Sequence, residues 1–484
     1  ELAGYDWGDG AFLAAKQPVY GRPLNIYEVH LGSWRRRENG DFYDYRSLAD
    51  ELSEYAADLG YNCVELMPVT EYPLDDSWGY QCTGYFAPTS RYGTPAQLKL
   101  LIDKLHHAGI GAIMDFVPVH FAVDHYALSD YDGTALYEYP HQDVGVSEWG
   151  SCNFMHSRGE VRSFLQSAAN YWLSVYHVDG IRMDAISRII YWQGEPARGV
   201  NNNAVDFIRE MNRGLKTMHP TAMLSAEDST SFEGVTKPVD QGGLGFDYKW
   251  DMGWMNDTLD YFRTAPEYRS RDYHKLTFSM MYYYNDDFLL PLSHDEVVHG
   301  KATIAQKMYG EYEEKFPQAR AFYMYMYAHP GKKLNFMGNE IGQLREWDEK
   351  REQDWDILKY PIHDTFHHFM QELNHLYITT PALSAKDYEN AGFQWLDCHQ
   401  EERCIYAFER TDGKDRIVAV FNFSDEDQEG YELPITDAKE LEVILASDDV
   451  TFGGSKKYTK KKVKVTDGKA VLDLSAYSAV YFGI

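Results

Sequence analysis

Carboxylates, imidazoles and one guanidinium recur at the ends of four apolar runs, all between residues 115 and 295. The segments are Asp115-Phe-Val-Pro-Val-His120, Gly180-Ile-Arg-Met-Asp184, Ala226-Glu227-Asp228 and Ser293-His-Asp295. Cleaving a glycosidic bond needs one carboxylate at the anomeric carbon and a second carboxylic acid to protonate the leaving oxygen. Asp184 fits the first role and Glu227 the second. Asp184 alternates with Arg182 on a strand end, so a period of two turns both side chains to one face. There the guanidinium holds the carboxylate ionised and orients it. Asp228 faces the other way and reads as structural. His120 and His294 suit donation to sugar hydroxyls, and Asp295 suits a carboxylate that bridges two hydroxyls as charge develops. Asp115 reads as a buried support for the arginine or a histidine. Tyr80, in Trp78-Gly-Tyr-Gln81, fits an aromatic face under the sugar. Ser293-His294-Asp295 is no hydrolase triad, because consecutive strand residues cannot face one another. Taken singly, Asp184 and Arg182 also fit a structural ion pair and each histidine a structural role; only the set points to chemistry.

Such residues need a scaffold that brings strand ends together. Up to about Leu376, short apolar runs alternate with segments of helical period. The runs Leu24–Leu31, Cys63–Val69, Ile110–Val117, Gly180–Ile186, Met223–Asp228, Gly245–Trp250, Phe288–Ser293 and Lys333–Met337 read as strands. Tyr45–Leu59, Pro95–Ala108, Glu160–Tyr176, Asn203–Met218 and Ala319–His329 read as helices between them. This alternation predicts an α/β fold, a closed (β/α)8 TIM barrel over residues 24–377. An open doubly wound sheet is the alternative, but no Gly-rich phosphate fingerprint follows the first strand. In a barrel, chemistry gathers at the C-terminal strand ends. All four segments end there, on strands three, four, five and seven. Residues 122–153 read as an insertion after strand three that walls the site. From residue 378 to 484 alternating runs separated by turns predict an antiparallel β-sandwich. They include Arg403–Arg410, Arg416–Phe423, Leu441–Ala446, Lys461–Val465 and Ala470–Leu474. The lysines at 456, 457 and 460–462 read as a solvated hairpin that discourages edge pairing.

Composition narrows the partners. The chain has 484 residues and a formal net charge of −29, which disfavours nucleic acid and other polyanions. Aromatic residues make up 15%, a supply of flat faces that suit sugar rings. The five cysteines lack paired spacing, so neither a disulfide framework nor a zinc site is expected, and reduced thiols in a cytoplasm are the simplest account. There is no run of 18 apolar residues, so no membrane span is expected. No His-Glu-x-x-His helix or calcium loop is present, and neither a metal nor a cofactor is expected. The expected partner is a neutral polymer or small molecule, and the expected state a monomer.

The four segments, in this order, resemble the signature regions of the α-amylase superfamily of glycoside hydrolases and transglycosylases. Tyr27-Glu-Val-His-Leu-Gly-Ser-Trp34, Ser77-Trp-Gly-Tyr-Gln81, Ser293-His-Asp-Glu-Val-Val-His-Gly-Lys301 and Gly338-Asn-Glu-Ile-Gly-Gln343 with Glu346-Trp347 resemble, within it, the 1,4-α-glucan (glycogen) branching enzymes. The resemblance implies Asp184 as nucleophile, Glu227 as acid/base and Asp295 as transition-state stabiliser. It implies Arg182, His120 and His294 as substrate and nucleophile contacts, and Tyr80 as a stacking ring. Its implied substrate is an α-1,4-glucan, both donor and acceptor, with transfer to a 6-hydroxyl. The alternatives are an α-amylase-like or trehalose-releasing hydrolase and an inactive glucan-binding scaffold. Val119 stands where many amylases carry a calcium-ligating Asn, which implies a metal-free barrel. Residues 1–23 are expected to be the linker remnant of an N-terminal carbohydrate-binding module.

Overall fold

The computed structural model describes residues 4–18, 20–457 and 461–484. Eight parallel strands close a barrel: β1 (Asn25–Val29), β2 (Cys63–Leu66), β3 (Gly111–Phe116), β4 (Gly180–Met183), β5 (Met223–Ala226), β6 (Tyr248–Trp250), β7 (Phe288–Leu292) and β8 (Lys332–Phe336). Each strand pairs with its sequence neighbours, and β1 closes the ring on β8 through Asn25 opposite Lys333. Every residue of these strands is buried, as expected where helices cover the outside and side chains fill the inside. The lower interior is apolar, with Ile26, Ile113, Met223, Tyr248 and Leu334 in one cluster.

Local chemistry sets the helices. α1 (Tyr45–Asp58) starts where Asp44 accepts from the Ser47 amide, and it buries Leu48, Leu52 and Ala56 at helical spacing. α2 (Pro95–His107) opens on a Thr94–Gln97 capping box with Pro95 in its first turn. α3 (Gly159–Val175) and α4 (Asn202–Met218) follow β3 and β4. α5 (Met252–Arg263) is capped by Asp251, and α6 (Tyr312–Ala328) follows β7. α6 begins earlier than its apolar pattern implies, because a Glu311–Glu314 capping box starts it upstream of Pro317. A further departure is the missing helix between β5 and β6. The Ser-, Thr-, Gly- and Pro-bearing stretch 229–245 forms only the turn Val239–Gln241.

The last barrel helix, α7 (Pro361–Thr379), leads into eight antiparallel strands. These are β9 (Phe393–Gln400), β10 (Ile405–Thr411), β11 (Arg416–Asn422), β12 (Gln428–Pro434), β13 (Glu440–Ala446), β14 (Lys462–Thr466), β15 (Lys469–Leu474) and β16 (Ser478–Gly483). They run in the order β9-β10-β11-β16-β13-β14-β15-β12. The sheet folds over a core of Ile405, Val418, Val420, Tyr431, Leu433 and Leu472. Of the lysine run, Lys462 sits on β14, which pairs with β13 along Lys462–Lys464 and with β15 through Val465 and Thr466. Lys462 donates to Glu440 across the ladder at 2.7 Å; Lys460 lies outside the described residues. No helix among the described residues is long and apolar enough to cross a membrane.

Candidate active site

Arg182 is the hub. It sits on β4 with no solvent exposure, and Asp115 is its register partner on β3. Its Nη1 donates to both Asp115 oxygens, at 2.7 and 2.6 Å, and to Asp184 Oδ1 at 2.9 Å. Its Nη2 lies 2.8 Å from Glu227 Oε2, an ion-pair contact without hydrogen-bond alignment. Two carboxylates from neighbouring strand ends are thereby fixed on one planar cation. Ala185, directly after Asp184, adopts a left-handed conformation at φ 46°, and its N–H donates to Glu227 Oε2 at 2.8 Å. Trp78 and His299, which line the same cleft, are also left-handed.

Tyr80 and His294 close the next layer. The Tyr80 hydroxyl donates to Asp115 Oδ2 at 2.6 Å, and its ring stacks on His294 at 5.6 Å. Glu28, on β1, accepts from the His294 backbone N–H at 3.0 Å and from Nδ1 at 2.5 Å. Burial opposes charge on His294, yet Asp295 and Glu28 outweigh it and raise the imidazole to about 10. Burial also opposes ionisation of Asp295, but His294, Arg182, Lys301 and His299 hold that carboxyl below its ordinary value. His120 behaves oppositely: burial, then Arg188, pushes it down to about 4, so it is a neutral ring near pH 7.

The cluster holds more acid than base. Burial pushes Asp184 up; Arg182 pulls it back, and Glu227, Asp115 and Asp295 add to the rise. Beneath it Glu65 is raised by burial and then by Glu28, and among the described residues neither of its oxygens has a hydrogen-bond partner. Glu28, Glu65, Asp115, Asp184, Glu227 and Asp295 thus share Arg182 and His294. Of these, Glu65, Asp115 and Asp184 are held above their ordinary values, with burial the leading cause in each.

The cleft has a volume of about 510 Å³ and is lined by Tyr80, His120, Asp184, Glu227, His294 and Asp295. All eight site residues read from the sequence therefore converge, Asp115 and Arg182 from just beneath the floor. Asp228 turns away to Lys249 Nζ at 3.1 Å. Sequence reasoning assigned no role to Glu28 and Glu65, although acids placed inside apolar strands were a legible signal. It also left Trp78, Trp149 and His299 without roles. Trp78 lies 5.3 Å from His299, near parallel, and 4.7 Å from Trp347. Trp149, on the insertion, overhangs His120 at 5.0 Å with 48% of its surface exposed. Strand pairing of His120–Phe121 with Cys152–Asn153 holds that insertion over the cleft. Among the described residues no three His, Cys, Asp or Glu side chains converge as a metal-ion set.

A (β/α)8 barrel with two carboxylates on one buried arginine at its strand ends defines a carbohydrate-active barrel enzyme. An all-β domain follows it in the chain. The chain belongs to the α-amylase family. Residues 31–143 and 148–434 match the α-amylase catalytic domain, and residues 395–484 match the α-amylase C-terminal all-beta domain. Within the family it is similar to the 1,4-alpha-glucan branching enzyme GlgB of Bacillus cereus strain G9842, 43% identical over 96% of this chain and 73% of that one. The GlgB of Halothermothrix orenii is 46% identical over 94% of this chain and 74% of its own. Among solved structures, an α-amylase of Geobacillus thermoleovorans superposes with a TM-score of 0.71 at 16% identity, covering 95% of this chain and 98% of that one. An Anoxybacillus α-amylase does so with 0.70 at 18%, covering 95% and 97%. At such identities these two establish the fold alone.

Proposed function

We propose that this protein is a 1,4-α-glucan branching enzyme, a retaining transglycosylase that moves a glucan segment from an α-1,4 link to a 6-hydroxyl. The observation that carries it is the sharing of Arg182 between Asp184 and Glu227. The aligned bond from Nη1 favours Asp184 as the ionised partner against the burial that would neutralise it. Glu227, held through Oε2 by Arg182 Nη2 and the Ala185 N–H, is the carboxyl left to serve as the acid. Glu227 gives a proton to the bridging oxygen as Asp184 attacks the anomeric carbon, which forms a β-linked glycosyl-enzyme. Glu227, now ionised, takes the proton of an incoming 6-hydroxyl, whose oxygen displaces Asp184 to give an α-1,6 branch. Two inversions retain the configuration. Asp295, ionised beside a protonated His294, bridges sugar hydroxyls as positive charge develops, and Tyr80 supplies the ring beneath.

Transfer rather than hydrolysis needs an acceptor sugar that outcompetes water. The rings of Trp78 and His299, which line the cleft with Asp295, offer such a sugar a dry face, and Trp347 backs Trp78 at 4.7 Å. The names of the curated relatives point the same way. We further propose that the protein works in the cytoplasm as a monomer, which five unpaired cysteines and a net charge of −29 favour.

Incubation with amylose tests the reading. Loss of iodine staining with few new reducing ends, followed by release of short chains with isoamylase, is expected. Reducing ends that rise in step with lost staining would make it a hydrolase, and no change would make it a scaffold. For the residues, Glu227→Gln with a maltosyl fluoride donor is expected to accumulate a covalent adduct on the peptide carrying Asp184. An adduct elsewhere would overturn the nucleophile assignment.

A further inference from the structure

The missing helix between β5 and β6 leaves a second cavity on the barrel flank, of about 670 Å³. Strand alternation explains its lining. Tyr248 and Trp250 of β6 point into the barrel, so Lys249 and Asp251 point outward. Likewise Glu227 faces the catalytic cleft and Asp228 faces the flank. The cavity and the catalytic cleft thus lie on opposite sides of the same strand end and share no lining residue.

The floor of this cavity is built and buried. Lys249 Nζ lies 3.1 Å from Asp228 Oδ2 and donates to the Thr230 carbonyl at 2.8 Å. Asp251 is 2% exposed; its Oδ1 accepts from the Trp254 N–H and the Tyr282 hydroxyl, both at 2.8 Å. Among the described residues its Oδ2 has no partner. Burial raises this carboxyl to about 6, against the Trp254, Tyr282 and Lys249 contacts, so near pH 7 it is mostly an anion with an empty acceptor. Phe232, Tyr282 and Phe288 supply ring surface around it. The acids Asp228, Glu233, Asp251 and Asp286 outnumber Lys237 and Lys249, which disfavours a phosphorylated or otherwise anionic ligand.

A carboxylate acceptor beside aromatic rings, in a space with a surplus of acid, matches a neutral sugar's hydroxyl edge and C–H face. We propose that this flank cavity is a second, non-catalytic binding site for an α-glucan segment, with Asp251 Oδ2 accepting sugar hydroxyls and Phe232 stacking on the ring. The ligand class rests on the glucan reading above; the site itself rests on the cavity and its unpaired acceptor. Its role is to tether the polymer beside the cleft without reacting with it.

Hydrogen exchange of the whole chain tests this, with Glu227→Gln as a slow background and maltohexaose as the probe. Protection is expected in peptides covering 228–237 and 282–288 as well as in those of the cleft. Phe232→Ala is expected to weaken flank protection about tenfold in sugar concentration while cleft protection persists. Tyr284→Ala, an exposed ring on the same cavity, gives the same readout if Phe232→Ala does not fold. Protection of the cleft alone would overturn the flank site and leave the catalytic reading standing. Protection of neither would overturn both. Flank protection by spermidine but not by maltohexaose would replace the sugar with an organic cation and overturn the proposal.

Discussion

Glu28 grips His294 twice, through the backbone N–H at 3.0 Å and through Nδ1 at 2.5 Å, across 266 residues of sequence. One carboxylate on the first barrel strand thereby fixes both the position and the charge of an imidazole after the seventh.

Glu28→Gln is therefore expected to lower the His294 pKa from about 10 towards the ordinary 6.5. A charge-assisted hydrogen bond of about 1.5–3 kcal/mol corresponds to a loss of about 10- to 100-fold in branching rate. The sign of the stability effect follows from linkage. A folded pKa above the unfolded one stabilises fully below pH 6.5 and loses that contribution as pH rises through 10. The difference in Tm between Glu28→Gln and the native chain is expected to shrink over that range. A constant difference would contradict the assignment.

Burial leads the depression of four other imidazoles: His30 and His329 to about 3, His120 and His156 to about 4. The unfolded chain takes up these protons near pH 6.5 and the folded chain resists them. Their contribution is present above pH 6.5 and is lost as pH falls towards 4. Urea unfolding at stepped pH is expected to show stability dropping across this window. His156→Gln, which keeps a donor for the Pro118 carbonyl, is expected to flatten the slope.

Trp78→Ala removes the ring between His299 and Trp347 and the bond to Glu349 at 3.2 Å. Water then reaches the glycosyl-enzyme more easily. Reducing ends released per branch formed are expected to rise several-fold, while total bond cleavage falls less. An unchanged ratio would locate acceptor selection elsewhere.

Asp387 is fully buried between Lys332 Nζ at 2.9 Å and Arg410 Nη2 at 2.6 Å, where Arg410 also holds the Ala328 and Gly392 carbonyls. It locks the barrel's end to the sheet domain. Asp387→Ala leaves two buried cations with no counter-charge and is expected to cost about 3–5 kcal/mol in denaturant unfolding. A loss under 1 kcal/mol would mean that water or a neighbouring carboxylate takes its place.

Much of this was legible in the chain. Uniform apolar strands announce a sheet covered on both faces, and strand-end carboxylates announce where its chemistry gathers. Asp184 and Arg182 were readable as a pair because a period of two is local geometry. Glu28 was harder, since its partner lies on another strand and only barrel closure of β1 on β8, beside β7, brings them together. The turn residues of 229–245 were a local signal for the missing helix after β5, whereas the unpaired Asp251 carried none.

The sequence by itself determined the order of elements, the faces they bury and which acidic and basic groups stand at the strand ends, because propensity, period and side-chain chemistry act over a few residues. Only the tertiary structure decided which charges meet, since low dielectric and shared partners depend on what lies across the barrel. It made one guanidinium serve two carboxylates, gave His294 a proton and kept His120 neutral. It also opened a cavity where a helix was expected.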